Sequence, residues 1–499
     1  MFNVQAMHLR LQALRAHSLA AMAAALLAGC SFIPVYERVV APVATSYPAL
    51  DAPVSAGAAA ASVPWQQFFT DARLQGLITL ALAHNRDLRV AVLNIEQTRA
   101  QFQISRAAQW PAVNGVVSGS RTPTTNGGIS SVYTAGLQVT AYELDFFGRV
   151  ASLKEQALAQ YLATEEGRKT AQISLIAQVA NTYLAILADE ELLDITRRTL
   201  GTREESLKLA KLRFDNGVTS ELDYRQVESL LEAAKVAYAQ QQRQRMLDDN
   251  ALTLLVGQPL GTLGADMLPP STALMPLSGV AASRTSLVQA QPMVDVPAGL
   301  PSELLTSRPD IRLAEQLLLA SNANIGAARA AFFPKISLTV QAGSASNHLS
   351  GLFQGGSWGW TLAPQLLAPI FEAGRNQAGL DAARAQRGIA VAQYEKAIQT
   401  AFREVADALA NRATLADQVR ASQAQVNAES VRLRLAGLRY DNGVASYLDA
   451  LDAQRSLFTV QQTLVQIRLV QLQSQVTLYK VLGGGWTDLP DATAQTAAR

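Results

Sequence analysis

The chain has 499 residues, length enough for roughly three or four ordinary domains, yet it carries one Cys, four His and only 16% charged residues, against roughly 25% in typical soluble proteins. That inventory excludes a disulfide scaffold, a Cys/His zinc site and a Cys/His nucleophile pair. Lys+Arg 42 against Asp+Glu 40 leaves a net charge of +2 without a basic stripe to follow a nucleic-acid backbone, and the 49% hydrophobic share is rich in alanine and poor in aromatics at 6%, which suits closely packed helices.

Residues 1–29 read as an export signal, with Arg10 and Arg15 ahead of an apolar run from Leu19 to Gly29. That run is too short to span a bilayer, which takes about 20 residues. It is either a plain signal cut at an Ala-x-Ala site or, with Leu27-Ala-Gly-Cys30 at its end, a lipobox resembling that of bacterial lipoproteins. In the second reading Cys30 carries a diacylglycerol and becomes the mature N-terminus, which accounts for the lone cysteine. Each buried lipid CH₂ contributes about 0.8 kcal/mol to such an anchor. By the lipoprotein sorting rule, Ser31 after the cysteine implies the outer membrane. Removing residues 1–29 takes two arginines and no acids, so the mature charge is 2 − 2 = 0, and only His84 and His348 remain. Residues 30–64, rich in Pro, Ala, Ser and Val, read as a lipid-anchored extended segment.

From residue 65 the sequence is written twice. Arg213-Phe-Asp-Asn-Gly-Val-Thr-Ser-Glu-Leu-Asp223 returns 226 residues later as Arg439-Tyr-Asp-Asn-Gly-Val-Ala-Ser-Tyr-Leu-Asp449. Trp110-Pro111 matches Phe333-Pro334 at an offset of 223, and Phe147-Gly-Arg149 matches Ala373-Gly-Arg375 at 226. A period this long marks a duplicated unit, not a solenoid. The three-residue slip falls between Pro111 and Arg149, where variable loops are expected. The copies are residues 65–260 and 301–483, joined by a proline-rich linker at 261–300 and followed by a tail at 484–499.

Each copy reads as helix, two strands, long helix, tight turn, helix. Val391, Tyr394, Ile398, Phe402, Val405 and Leu409 make a coiled-coil seam. Without a proline from near Arg375 to Arg439, that helix of roughly 65 residues would be close to 100 Å long. The strands alternate, Ile336, Leu338, Val340 and Ala342 against Ser337, Thr339 and Gln341, and Tyr133, Ala135, Leu137 and Val139 against Thr134, Gly136, Gln138 and Thr140. Trp358, Trp360, Trp110, Phe332, Phe333 and Phe353 lie at the run ends. Alternation alone leaves two readings open, an ordinary antiparallel sheet with one buried face and a transmembrane barrel. Four strands cannot close a barrel, which takes about eight, and a bilayer tolerates no open sheet edge. If they span a membrane, several chains must pool them.

Gly217 and Gly443 supply the positive φ that ends a helix, and Ser220-x-x-Asp223 and Ser446-x-x-Asp449 read as capping boxes for the next one. Glu165-Glu166, Glu190-Glu191 and Asp248-Asp249 read as solvated helix faces. His84 reads as a helix-surface residue, His348 as a loop residue. With no G-x-x-x-x-G-K-[ST] phosphate loop, an enzyme is not expected and no cofactor or metal is implied.

Gly299-Leu-Pro-Ser-Glu-Leu-Leu-Thr-Ser-Arg-Pro-Asp-Ile-Arg312, Asn322-Ala-Asn-Ile-Gly-Ala-Ala-Arg-Ala-Ala-Phe-Phe-Pro-Lys-Ile-Ser337 and Tyr142-Glu-Leu-Asp-Phe-Phe-Gly-Arg149 resemble the signatures of TolC-type outer membrane factors, specifically the efflux lipoproteins of the NodT branch. The resemblance covers essentially the whole mature chain. It implies a mixed α and β fold: a homotrimer whose twelve pooled strands form one outer membrane β-barrel, continued by long coiled-coil helices as a periplasmic tunnel. It also implies two partners, a periplasmic adaptor (membrane fusion) protein and an inner membrane pump of the RND type. On this likeness Asp449 and Asp452 line the pore constriction at the closed end. Six such carboxylates, two from each of three chains, would attract cations and raise one another's pKa. The family's gate latch carries over as a hydrogen bond between Asp223 and Tyr440. Ala445 stands where some members have a latch arginine, and Gly437 where they have an acid. The expected function is a passive efflux duct; the alternatives are the exit duct of a type I protein secretion system and a non-conducting structural coiled-coil lipoprotein.

Overall fold

In the computed structural model, the described residues are 31–47, 60–125, 127–260, 287, 293–294, 296–297 and 301–487. Cys30, the export signal and most of the linker between the copies lie outside them.

The first copy contains α1 (Trp65–Phe68), α2 (Ala72–His84), α3 (Arg86–Ala107), β1 (Val113–Pro123), β2 (Ile129–Leu144), α4 (Arg149–Asp215) and α5 (Glu221–Val256). The second contains α6 (Pro301–Ser307), α7 (Pro309–Ala330), β3 (Lys335–Ser346), β4 (Trp358–Leu367), α8 (Arg375–Asp441) and α9 (Tyr447–Val481). Helices α3 and α7 each have 22 residues and lie 223 apart in sequence; α4 and α8 each have 67 and lie 226 apart. At 1.5 Å per residue the long pair are rods of about 100 Å.

The duplication holds at atomic detail. Gly257 and Gly483 have φ of +77° and +84°, and a Cβ on either would come within 2.4 Å of the His84 carbonyl oxygen and 2.8 Å of that of Ser307. Beside them Asn85 donates from Nδ2 to the Leu255 carbonyl at 2.9 Å, and Arg308 donates to the Val481 carbonyl at 3.0 Å. Different side chains thus make the same link at matching positions.

The chain divides into two compact units. One comprises residues up to Val40, Asn94–Glu165 and Leu313–Lys396, and holds the four-stranded antiparallel sheet in the order β1-β2-β3-β4. In it residues 32–38 form a strap along α7. Arg329 donates to the Phe32 carbonyl at 3.1 Å and Asn322 to the Pro34 carbonyl at 2.7 Å. Glu315 accepts from the Tyr36 hydroxyl at 3.0 Å and from two nitrogens of Arg38, each at 2.8 Å. Burial, then the Glu315 charge, pushes the Tyr36 phenol up to about 12.

The other unit comprises Ala41–Leu93, Glu166–Arg312 and the chain from Ala397. Here α4 buries residues on nearly every side, among them Ala180, Tyr183, Ile186, Ala188 and Leu192, as an apolar helix does at the centre of a bundle. Phe68 stacks on Tyr479 at 4.0 Å. The seam of α8 is buried here at Ile398 and Val405, with Ala401 between them and Ala408 just beyond allowing close approach; Tyr394, in the first unit, is buried as well.

Two of the three acidic pairs correct the solvated reading, whereas Asp248 and Asp249 stay partly open to solvent. Glu190 is buried against Arg245 of α5 at 2.9 Å, and Glu166 is buried between Lys169 and Arg312, each at 2.9 Å. Helices packed on several sides leave no solvent face there, so the acids survive by pairing. Next to Glu190, Asp189 accepts from Gln241 at 2.7 Å, and burial together with the Asp248 carboxyl pushes its pKa up to about 8.

Candidate functional site

The sheet has two unlike faces. Register places Val113, Val139, Val340 and Leu362 in one row across all four strands, and Gly115, Leu137, Ala342 and Trp360 in the next row of that face. The opposite face carries the row Asn114, Gln138, Gln341 and Thr361. The Ser118 and Thr134 hydroxyls share a hydrogen bond of 2.7 Å. The apolar face is open: Val117 is 82% exposed, Trp360 68% and Leu362 53%. An ordinary sheet with one dry side would bury these residues against a core. Exposed aromatic residues stand at both ends, Phe353 and Trp358 at one and Trp110 at the other, and β1 and β4 are open edges. This is the pattern of a lipid-facing band with aromatic girdles and a wet interior.

At the foot of the sheet Glu143 takes two hydrogen bonds from Arg149, at 2.8 and 2.6 Å, and pairs with Lys335 at 3.1 Å. Asp145 caps α4 by accepting from the Ala151 amide at 2.7 Å. Phe32, Phe333 and Phe147 form a continuous stack with centroid spacings of 4.7 and 5.0 Å. The tract Tyr142–Arg149 therefore turns the chain from strand to helix, with Gly148 at φ +67° making the bend.

At the far ends of α4 and α8 the repeated Asp-Asn-Gly forms the same helix stop twice. Val218 and Gly217 donate to the carbonyls of Arg213 and Phe214 at 2.8 and 2.9 Å, and Val444 and Gly443 to those of Arg439 and Tyr440, both at 2.9 Å. This is the Schellman pairing, which needs φ > 0 at the glycine; Gly217 and Gly443 have +68° and +70°. The starts of the next helices differ. Ser220 accepts from the Asp223 amide and donates to its carboxylate at 2.7 Å, closing the capping box, whereas Ser446 makes no side-chain cap.

The expected latch does not form. Asp223 accepts from Thr219 and Ser220, which hold its carboxyl below the usual range, and Tyr440 is not among its partners. Two side chains within reach on its own turn outcompete a phenol on another helix. Tyr440 instead packs on Tyr447 at 4.8 Å, with the Arg213 guanidinium 5.2 Å from its ring centre.

Asp449 is exposed on the first turn of α9, and Asp452 follows one turn later. Asp452 accepts from Arg432 of α8 at 2.6 Å and from Arg455 at 2.5 Å. Arg432 first, then Arg455, holds its carboxyl below the usual carboxylate range within the single chain. Arg432 also pairs with Glu429 at 3.1 Å and reaches Ser456 at 3.3 Å. It thus ties α8 to α9 just behind the turn.

The family model for "Outer membrane efflux protein" matches residues 77–258 and 300–484. The chain belongs to that family. Its two matches coincide with the two copies of the fold. Among its relatives, the probable efflux pump outer membrane protein TtgC of Pseudomonas putida is 47% identical over 488 residues, covering 96% of this chain and 97% of that protein. A solved structure of a membrane protein from Pseudomonas aeruginosa shares 41% identity with a TM-score of 0.82, covering 91% of this chain and 100% of that one. The open-state outer membrane channel MtrE of Neisseria gonorrhoeae shares 39% identity with a TM-score of 0.80, covering 92% and 99%. As an outer membrane efflux protein this chain has its place in the outer membrane, and the sheet with its open apolar face is the part suited to lipid.

Proposed function

We propose that three copies of this chain pool their strands into one twelve-stranded barrel, that the helices continue it into the periplasm, and that the assembly is the passive exit duct of a tripartite efflux system. The observation that carries this reading is the sheet: one face apolar and open, the other polar, both edges unpaired. A bilayer forbids such edges, so neighbours must cover them. The cargo is small molecules handed on by a periplasmic adaptor and an RND-type inner membrane pump. Similarity to TtgC, described as an efflux pump protein, favours small-molecule efflux over protein secretion. Cys30 carries the lipid anchor in this reading, and the duct itself performs no catalysis.

Asp449 and Asp452 line the constriction, and Arg432 and Arg455 set its charge and hold its closed form. The links from Arg432 to Asp452 and from Arg213 to the Tyr440 ring take the place of the Asp223–Tyr440 latch. Opening draws α9 away from α8 and breaks the first of these. In planar bilayers Asp449→Ala with Asp452→Ala lowers cation selectivity, and Arg432→Ala raises it while increasing the time spent open, because Asp452 then faces the passage with one of its two arginine partners removed. Ion selectivity unchanged in both variants removes these residues from the pore.

A further inference from the structure

The sheet already contains one joint between its two hairpins, β2 against β3, and the trimer proposed above needs a second joint of the same kind, β4 against β1 of the next chain. The duplication specifies which residues meet there. Helices α3 and α7 match at an offset of 223, which carries Val113 onto Ile336. The pair Val113 and Val139 then corresponds to the pair Ile336 and Leu366, so β2 maps onto β4 at an offset of 227. The hairpin tips explain the difference. Between Arg121 and Ser131 lie nine residues (122–130), and between the corresponding Ser344 and Trp358 lie thirteen (345–357), four more. The bulge in β2, where Thr140 and Ala141 face Thr339 alone, takes one back. The sum 223 + 4 − 1 = 226 is the offset of the long helices.

We propose that β4 of one chain lies antiparallel to β1 of the next in the register of β2 on β3, with Gln365 opposite Ser118 and Thr361 opposite Thr122. These are the images of the observed pairs Gln138 with Gln341 and Thr134 with Ala345. Two observations support this register. It keeps each face of the sheet continuous across the joint, since a slip of one residue would turn apolar side chains into the lumen. It also sets Leu366, 63% exposed, beside Val117, 82% exposed. At the foot of the joint, the stack of Phe147 on Phe333 has its image in Ala373 and Trp110. A small residue and a large one replace two of middle size, and the indole, 74% exposed in the single chain, covers Ala373 of its neighbour.

Cysteine pairs test the register. Directly opposed antiparallel residues have Cα atoms about 4.5–5.5 Å apart, inside the disulfide range of about 4.4–6.8 Å, whereas a four-residue slip moves them by about 13 Å. The full chain in outer membrane vesicles is oxidised with copper phenanthroline and run without reductant, beside the single-cysteine variants. Gln365→Cys with Ser118→Cys, and Thr361→Cys with Thr122→Cys, are expected to give covalent dimers and trimers. Thr361→Cys with Ser118→Cys, the partners implied by an undisplaced offset of 223, is expected to remain monomeric. Cross-linking of that third pair in place of the first two overturns the register, as does a trimeric native mass with no cross-link from either in-register pair. A parent protein that is monomeric by native mass overturns the trimer itself, and the joint with it.

Discussion

Asp452 shows how a single residue's chemistry depends on partners that sequence separates from it. Asp449 and Asp452 were singled out by the family resemblance, at a turn that the repeat marks and a helix start follows. Arg432 was not, because it lies twenty residues before Asp452 on another helix and is one of many arginines there. The same blindness affected the acidic pairs. Glu190 is buried against an arginine 55 residues away, and nothing in two adjacent acids distinguishes that from a wet surface. Asp189 makes the consequence measurable. In the folded chain its carboxyl holds a proton up to about pH 8, against an ordinary 3.8. The unfolded chain releases that proton earlier, so between those values the native state binds more protons and stability falls as pH rises, by at most about 1.4 kcal/mol per pH unit. Thermal unfolding followed across this window should show Asp189→Asn with a shallower decline than the parent; equal slopes would place the proton elsewhere.

Among the elements, the long helices could be read best. An uninterrupted run without proline, a stepping apolar seam and a glycine stop together fix both ends, and α8 closes at Asp441, two residues beyond Arg439. The hairpins could be read only in part. Alternation gave their faces, but the extra tip residues and the bulge in β2 are set by pairing, which one strand's sequence does not contain. The glycines separate two kinds of constraint. At Gly217 and Gly443 a Cβ would meet nothing within 4 Å, so only the left-handed backbone matters, and alanine there should cost about 1–2 kcal/mol. At Gly257 and Gly483 a Cβ would also strike a carbonyl of the neighbouring helix junction. Gly257→Ala and Gly483→Ala should therefore lower the melting temperature further than Gly217→Ala and Gly443→Ala. The reverse order would mean that the junction yields easily.

For the whole molecule, the decisive property is that the sheet shows its apolar side to the outside. Leu362→Arg, in the middle of β4 on that side, should cost about 2–4 kcal/mol where it meets hydrocarbon and reduce the amount recovered in outer membranes. Gln341→Arg, on the polar side one strand away, should leave the amount unchanged and reduce cation conductance. Equal losses for both would mean that the two sides meet similar surroundings. The strap on α7 bears on how the protein can be prepared. Phe32 stacks at the foot of the sheet, and the carbonyls of Phe32 and Pro34 and the side chains of Tyr36 and Arg38 each have a partner on α7. A version shortened for expression can start at Ser31, but a start placed beyond Phe32 would strip one side of a helix that the native chain keeps covered.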